Sequence, residues 1–275
     1  MSGEQAPEME HSAAPLIDHL IELRQRLIWC VVYLLVGFGI CYVFVEQIYT
    51  FLAQPFVDVA NSNGQNPDMI AIGIHEQFFV YLKVAFFASF CLTFPLISMQ
   101  VWKFVAPGLY RNEKKAFLPF LIGTPVLFAM GASLSYFVVI PLAWDFFMSF
   151  QISANSAAEA ASAASAAAEH PLAKLSVTVM PSVKEYWSLV MMMILAFGFS
   201  FELPILLLLL ARVGIVTAKG LAEKRKYMIV AAFAFAAIMT PPDFVSQILL
   251  GVPILLLYEL SIIAIRLTIK EEKNV

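Results

Sequence analysis

Long apolar stretches separated by polar loops constrain this chain more than any other feature of its sequence. A helix needs roughly 20 mostly apolar residues to cross a bilayer, and the sequence contains four such stretches, at 27–45, 78–102, 116–144 and 186–213. A further apolar stretch, 227–265, is interrupted by Thr240-Pro-Pro-Asp243. Because paired prolines followed by aspartate do not continue a helix, we expect two helices there, 227–239 and 244–265. A re-entrant hairpin built from the same two segments is the alternative.

The composition is that of a membrane protein rather than a soluble one. Apolar residues make up 61% of the 275 residues and charged residues 13%, whereas soluble domains contain about 25% charged residues. This balance excludes a secreted disulfide scaffold, a disordered chain and a free nucleic-acid-binding protein. We therefore predict an all-α polytopic membrane protein with six transmembrane helices, of which the fifth and sixth are short. The fifth would extend for roughly 20 Å, less than a hydrocarbon core of about 30 Å.

The distribution of basic residues predicts the orientation, because cytoplasmic loops carry an excess of Lys and Arg. With six spans, 14 of the 17 basic residues fall in the two tails, in the second and fourth loops, or at the span ends that border them, where Arg212 and Arg266 lie. The first loop, 46–77, contains none, and the third contains Lys174 and Lys184. Both termini are therefore expected in the cytoplasm, and a count of five spans would break the alternation.

The predicted organisation is a membrane domain between two cytoplasmic tails. The first tail, 1–26, contains an amphipathic helix, whose apolar face is formed by Leu16, Leu20, Leu23 and Leu27. The membrane domain covers 27–266, and residues 267–275 form the second tail. An insert rich in Ala, Ser and Glu at 153–170 falls in an outer loop, where a weak helix or a flexible segment leaves the membrane core undisturbed.

Motifs for catalysis and for cofactor or metal binding are missing from the sequence. It contains no H-E-x-x-H, G-x-S-x-G, Walker or G-x-G-x-x-G pattern, so we expect no enzyme activity, no cofactor and no metal site. His19 and Glu22 have the spacing of half a metal site, but no partner ligands accompany them. The cysteines lie in apolar runs without a C-x-x-C pair, which is typical of small buried hydrophobic residues: Cys30, Cys41 and Cys91.

Two carboxylates lie near the inner ends of the predicted spans. Glu22 lies off the leucine face of the first tail, and one interpretation is structural: it pairs with Arg26 at i,i+4 and stabilises the helix by a few tenths of a kcal/mol. Glu113 lies in a basic loop and has Phe117 at i+4, so no such pair explains it. The functional interpretation is that both carboxylates bind guanidinium groups. Their spacing does not show whether they converge.

Glu202 is the most conspicuous polar residue, because it lies in the middle of a predicted span, in Phe197-Gly-Phe-Ser-Phe-Glu-Leu-Pro204. A charge at that depth costs about 2.5–3.5 kcal/mol on insertion scales, which makes Glu202 a functional candidate; a structural hydrogen bond to another span is the alternative. A proton-coupled transporter or channel with Glu202 as relay is a second class of function, although relays usually use several titratable groups. Beyond the Pro-Pro turn, Asp243 has the position of a helix N-cap, and Gln247 follows one turn later.

An ordered set of short motifs runs through the chain. It consists of His19-Leu-Ile-Glu-Leu-Arg-Gln-Arg-Leu27, Pro55, Phe78-Phe79, Phe94-Pro95, Val101-Trp-Lys-Phe-Val-Ala-Pro-Gly-Leu-Tyr-Arg-Asn-Glu113, Tyr136-Phe-Val-Val-Ile-Pro141, the Glu202 motif and Thr240-Pro-Pro-Asp-Phe-Val-Ser-Gln247. Over about residues 15–268 the chain resembles the TatC family, the multispanning subunit of the twin-arginine protein translocase. The main departure is the insert at 153–170, which is longer than is usual in the family.

The resemblance implies a six-helix, glove-shaped protein of the bacterial inner membrane that binds twin-arginine signal peptides. It implies export of folded precursor proteins driven by the proton-motive force, together with TatA-like and TatB-like single-span partners and self-association. The residues implied to bind the signal peptide are Glu22, Arg24, Phe104 and Glu113. The residues implied to contact a partner helix or to shape its groove are Glu202, Asp243 and Gln247.

Overall fold

The described part of the chain is helical. The computed structural model describes residues 7–64, 66–109, 114–149, 181–240 and 244–268; the insert at 153–170 lies outside these ranges. Within them an isolated parallel bridge joins Ile70 to Ser182. The helices are α1 (Pro7–Val43), α2 (Val45–Ser62), α3 (Glu76–Leu109), α4 (Lys114–Leu134), a π-helical turn (Ser135–Val139), α5 (140–149), α6 (Val183–Ser200), α7 (Leu203–Arg212), α8 (Ala218–Glu223), α9 (Arg225–Met239) and α10 (Phe244–Thr268).

Five helical stretches in the described ranges are long and apolar enough to cross a membrane. They are His19–Val43, Glu76–Phe104, Pro119–Ser149, Val183–Arg212 and Phe244–Thr268. The predicted fifth helix corresponds to α9, whose 15 residues extend for about 22 Å, which is short for a span. The last helix, α10, has 25 residues. The prediction that the sixth helix is short is therefore wrong, because 25 residues extend for roughly 38 Å and the helix is long enough to cross a membrane.

Helical structure extends on both sides of the predicted first span. The predicted amphipathic segment and the first span form one continuous helix, α1, with no interruption near residue 26. After Phe44, α2 occupies the first half of what the sequence predicted as a loop. Its buried face, which explains why this segment folds as a helix, consists of Val45, Leu52, Ala53, Pro55, Phe56 and Ala60.

The chain divides into two compact units, the first formed by residues up to Phe44 and by Ala85–Val126. In this unit α1 packs closely against the middle of α3. Ser89 Oγ donates a hydrogen bond to the Leu34 carbonyl over 2.8 Å. A Cβ at Gly37 would lie 2.7 Å from Thr93 Cγ2, so the helices approach this closely only because Gly37 has no side chain.

The second unit contains Val45–Val84 and the chain from Leu127 onward, and in it α2 has an internal proline. Because Pro55 lacks an N–H, the Phe51 carbonyl has no helical donor four residues later. The Tyr136 hydroxyl supplies one, donating to Phe51 O over 2.6 Å. The Tyr186 hydroxyl donates to the neighbouring Leu52 carbonyl over 3.0 Å. The two tyrosines thereby tie α2 to the π-helical turn and to α6.

A separate apolar cluster in the second unit joins α7, α8 and α10. Its buried members are Ala211, Ala218, Leu221, Tyr258, Ile262 and Ile265. The Tyr258 hydroxyl donates to Leu221 O over 2.8 Å. Beside the cluster, Arg225 at the start of α9 forms two 2.7 Å contacts with the carboxylate of Glu259 in α10. The short helix α9 is thus fixed to α10 by an ion pair with parallel contacts, the stronger geometry for arginine and carboxylate.

Glu76, at the start of α3, holds two distant segments together, and sequence reasoning did not identify it. Its Oε2 accepts from the backbone N–H groups of Ile72 (2.8 Å) and Gly73 (3.1 Å). Its Oε1 accepts from Ser182 Oγ (3.1 Å) and from the N–H of Lys184 (2.7 Å). The side chain is 9% exposed. We call these four contacts the Glu76 clamp; they join the loop before α3 to the start of α6.

Replacing Glu76 by Gln is expected to lower the unfolding temperature of the purified protein in detergent nearly as much as replacing it by Ala. All four partners are donors, so a glutamine would direct its NH2 group at donors and leave buried groups unpaired, which is costly. The control is Glu185→Gln, an exposed position in the first turn of α6, which should leave the midpoint unchanged. A Glu76→Gln protein as stable as the wild type would show that the clamp does not depend on two acceptor oxygens.

Gly131 allows α4 to touch the backbone of α6. A Cβ added to Gly131 would lie 2.5 Å from the Phe197 carbonyl oxygen and 2.9 Å from its carbon. Main-chain atoms of a buried helix do not move aside as the end of a flexible side chain does. The residue is buried, as the small-x-x-x-small pair of Gly131 and Ser135 predicts for a helix-packing position.

Gly131→Ala is expected to destabilise the protein by about 1–3 kcal/mol, the usual cost of overpacking. Gly39→Ala is the matched control, because a Cβ there meets nothing within 4 Å. Alanine also favours a helix over glycine by up to about 1 kcal/mol, so the control should be neutral or stabilising. Thermal unfolding of both variants in the same detergent measures the difference, and equal midpoints would contradict the close approach of α4 and α6.

Candidate functional site

A polar cluster lies between the N-terminal part of α1 and the end of α3, within the first unit. The guanidinium of Arg26 donates to Glu22 Oε1 over 3.2 Å through one terminal nitrogen and to Gln100 Oε1 over 3.1 Å through the other. The amide of Gln100 then donates to the Tyr33 hydroxyl over 3.2 Å. Gln100 is buried, whereas the side chains of Glu22 and Arg26 are each about one-third exposed. The glutamate is thus held by the scaffold and open to solvent.

An aromatic pair borders this cluster. The imidazole of His19 stacks on the ring of Phe104, with centroids 4.2 Å apart and planes at 15°. His19 precedes Glu22 by three residues, so both lie on the same face of α1. The structure therefore brings Phe104, a predicted site residue on α3, to the same face of α1 as Glu22. We call His19, Glu22, Arg26, Gln100 and Phe104 the α1–α3 cluster.

The other two residues predicted for this site are placed differently. Arg24 is exposed and follows Glu22 by two positions, about 200° around the helix, so it lies on another face of α1. Glu113 lies outside the described residues. The structure thus brings together two of the four predicted residues, Glu22 and Phe104, and leaves the convergence of Glu22 with Glu113 as a prediction.

Sequence reasoning did not assign the supporting members of the cluster. Gln100 is a polar residue in an apolar span, and His19 and Glu22 have an i,i+3 spacing; these are the signals that point to them. The pairing of Glu22 with Arg26, predicted as the structural interpretation, is present. The contact of Arg26 with Gln100 shows that the pair also belongs to a tertiary arrangement.

The chemistry available at the cluster is recognition of a cation with hydrogen-bond donors. A partly exposed carboxylate beside an aromatic ring suits a guanidinium, which presents a planar set of N–H donors and stacks on aromatic faces. Among the described residues no group of three or more His, Cys, Asp and Glu side chains is arranged to hold a metal ion.

Glu202 lies at a break in the predicted fourth span. The segment 186–213 is divided into α6, which ends at Ser200, and α7, which begins at Leu203 with Pro204 in its first turn. The backbone of Glu202 is fully engaged there: its N–H donates to Phe199 O over 3.1 Å, and its carbonyl accepts from Leu206 N over 3.0 Å. The side chain is half-buried, and a helix break places it at the joint between two short helices.

The predicted outer residues of the groove are only partly described. Asp243 lies outside the described residues, so its assignment as an N-cap is untested. The amide of Gln247 donates to the Phe233 carbonyl over 3.2 Å, and a Cβ at Gly251 would lie 3.0 Å from the Phe233 ring. Gln247 therefore packs α10 against α9 in this structure.

Comparison with known proteins gives a consistent result. Residues 18–253 match the family model described as Sec-independent protein translocase protein (TatC). The TatC protein of Magnetococcus marinus is 47% identical over 249 residues, covering 90% of this chain and 83% of that protein. The TatC protein of Escherichia coli K12 is 36% identical over 260 residues, covering 94% and 91% respectively.

Two crystal structures of a protein described as the twin arginine translocase receptor TatC resemble this fold, each with a TM-score of 0.72. They are 34% and 36% identical in sequence, cover 90% of this chain, and are themselves covered to 99% and 98%. The family model, the relatives and the solved structures agree over most of the chain. This chain therefore belongs to the TatC family and is a multi-pass membrane subunit of a Sec-independent protein translocase.

Proposed function

We propose that this chain is the signal-peptide receptor of a twin-arginine translocase and that it binds the arginine pair at the α1–α3 cluster. With TatA-like and TatB-like single-span partners, it exports folded precursor proteins using the proton-motive force. The observation that carries the proposal is that Glu22 already holds a guanidinium, that of Arg26, at a partly exposed position. Two solved relatives described as twin arginine translocase receptors support the same function.

The cluster suggests how an incoming arginine is accepted. The Glu22–Arg26 ion pair is partly exposed and i,i+4, and such pairs near the surface stabilise a helix by less than about 1 kcal/mol, so we propose that displacing Arg26 from Glu22 costs little. Arg26 keeps its hydrogen bond to Gln100 when Glu22 changes partner, which avoids leaving a guanidinium unpaired near an apolar surface. We propose that Arg26 holds Glu22 in place until the signal peptide arrives and then stays on Gln100.

Selectivity for arginine over lysine follows from the same chemistry. A guanidinium bonds a carboxylate through two parallel N–H groups, whereas an ammonium acts as a point charge. We propose that Glu113 takes the second arginine, that Phe104 provides an apolar wall beside the first, and that Arg24 supports the surface. Two carboxylates then recognise two consecutive guanidinium groups and discriminate against a pair of lysines.

The topology that fits this function has six spans and both termini in the cytoplasm of a bacterium, with the protein in the inner membrane. The charge distribution supports it, because the segments assigned to the cytoplasm, together with the span ends that border them, contain 14 of the 17 basic residues. In this topology α9 is the short fifth span, supported by its ion pair with α10. The α1–α3 cluster then lies on the cytoplasmic side, where a precursor protein first meets the translocase.

A second proposed contact lies within the membrane. We propose that Glu202, at the joint of α6 and α7, hydrogen-bonds a polar residue of a single-span partner, and that Asp243 and Gln247 shape the outer end of this groove. A helix break lets a side chain from the middle of a span reach a neighbouring helix. Self-association of the chain is part of the same proposal.

Signal-peptide binding tests the receptor proposal. Binding of an Arg-Arg peptide to the purified protein in detergent should exceed binding of the Lys-Lys version. Glu22→Gln should weaken Arg-Arg binding by about tenfold, the lower range for loss of a charged hydrogen bond, and Glu22→Gln with Glu113→Gln should abolish the preference. The measurement is fluorescence anisotropy with a labelled peptide.

Glu223→Gln is the matched control, because Glu223 is exposed in α8 and carries the same charge outside the cluster. It should bind the Arg-Arg peptide like the wild type. Comparable binding by the double variant and the wild type would overturn the assignment of both glutamates. The same measurement with a single-span partner added would show whether the partner completes the site.

Glu202→Gln is expected to preserve export and Glu202→Ala to abolish it, because a glutamine retains hydrogen-bonding groups that alanine lacks. The measurement is export of a folded reporter in cells, normalised to the amount of each variant in the membrane. Glu185→Ala, an exposed change in the first turn of α6, should be neutral. Equal loss in both Glu202 variants would indicate an ionisable role instead.

A further inference from the structure

The loop before α3 exposes two large apolar side chains. Ile72 is 83% exposed as a residue, and Ile74 is fully exposed. Two large apolar side chains so close together are seldom left exposed to water, because burying apolar surface is favourable. We call residues Ile72–Ile74 the isoleucine tip.

The tip is held in a fixed conformation rather than left to collapse. The N–H of Ile72 and that of Gly73 both donate to Glu76 Oε2. Just before the tip, Ile70 exchanges backbone hydrogen bonds with Pro181 O (3.1 Å) and Val183 N (3.0 Å). The backbone of the tip is therefore held by the Glu76 clamp, and the residues before it are held by the Ile70–Ser182 bridge. These contacts keep the two isoleucine side chains exposed.

The tip is continuous with a lipid-facing surface. The span Glu76–Phe104 begins two residues after Ile74. In its first turn Phe78 is 55% and Phe79 is 50% exposed, and such aromatic residues are enriched at membrane interfaces. The stretch 46–77 contains no Lys or Arg, so this surface is suited to contact through apolar side chains rather than through attraction to anionic lipid head groups.

We propose that the isoleucine tip inserts into the interfacial region of the bilayer and acts as a preorganised anchor that sets the depth of α3. The Glu76 clamp removes the entropic cost of ordering the loop, so burial of Ile72 and Ile74 in lipid needs no further folding. The partner of the tip is the lipid bilayer itself, and this proposal does not depend on signal-peptide binding. A protein partner covering the tip, or a tip that stays in water, is the competing outcome.

The test places an environment-sensitive fluorophore on a cysteine at the tip. The full chain, with Cys30, Cys41 and Cys91 replaced by Ala, carries Ile74→Cys labelled with the NBD fluorophore and is reconstituted alone in phosphatidylcholine vesicles. We expect blue-shifted emission, quenching by lipids with a nitroxide near the head group, and protection from aqueous iodide. Asp68→Cys, an exposed polar position in the same loop, is the control and should be quenched by iodide.

A second variant tests the anchor without a probe on the tip. Ile72→Ser with Ile74→Ser should move a fluorophore at Phe78→Cys toward water, seen as increased iodide quenching, while thermal unfolding in detergent stays unchanged because both side chains are exposed. Iodide quenching of the Ile74 probe equal to that of the Asp68 probe would overturn the proposal. Protection that appears only after single-span partners are added would also overturn it, in favour of a protein contact.

Discussion

The fold depends on how polar backbone groups are satisfied where the helices do not satisfy them, because a bilayer offers no water for this purpose. Pro55 removes the donor for the Phe51 carbonyl, and Tyr136 supplies another from a different helix. The loop before α3 has N–H groups outside regular structure, and the Glu76 carboxylate accepts two of them. In both cases a backbone group without a partner in its own helix or loop forms a hydrogen bond with a side chain that also contacts, or belongs to, a distant segment.

The sequence predicts the parts of the fold that follow from local apolar patterns, but not those that need contacts between distant segments. The long apolar stretches identify the spanning helices, because length and apolar character decide membrane insertion. The helix α2 was predicted as a loop because it is too short to span, and its buried stripe of Leu52, Phe56 and Ala60 becomes meaningful only beside α6 and the π-helical turn. The continuity of α1 across the end of the tail follows from the absence of Pro and Gly in residues 16–36.

In the candidate site, too, the local contacts could be predicted from the sequence and the long-range contacts could not. The i,i+4 spacing of Glu22 and Arg26 predicts their ion pair, since the contact is local. The contact of Arg26 with Gln100 joins residues 74 positions apart, and that of Glu76 with Ser182 joins residues 106 positions apart. The residue pattern of a single segment does not show which distant residue will contact it. Polar residues in apolar segments identify the candidates, and only the packed structure identifies their partners.

Three glutamates show why the surroundings, rather than the residue type, decide the role. Glu76 is buried and accepts four hydrogen bonds, so both of its oxygens are committed and its role is structural. Glu22 is partly exposed and pairs with one arginine within its own helix, a kind of ion pair that contributes little to stability. Glu202 lies at a helix joint in an apolar span, where the cost of charge favours a hydrogen-bonding neighbour. The same side-chain type therefore serves as a buried acceptor within the second unit and as a partly exposed ion-pair partner within the first.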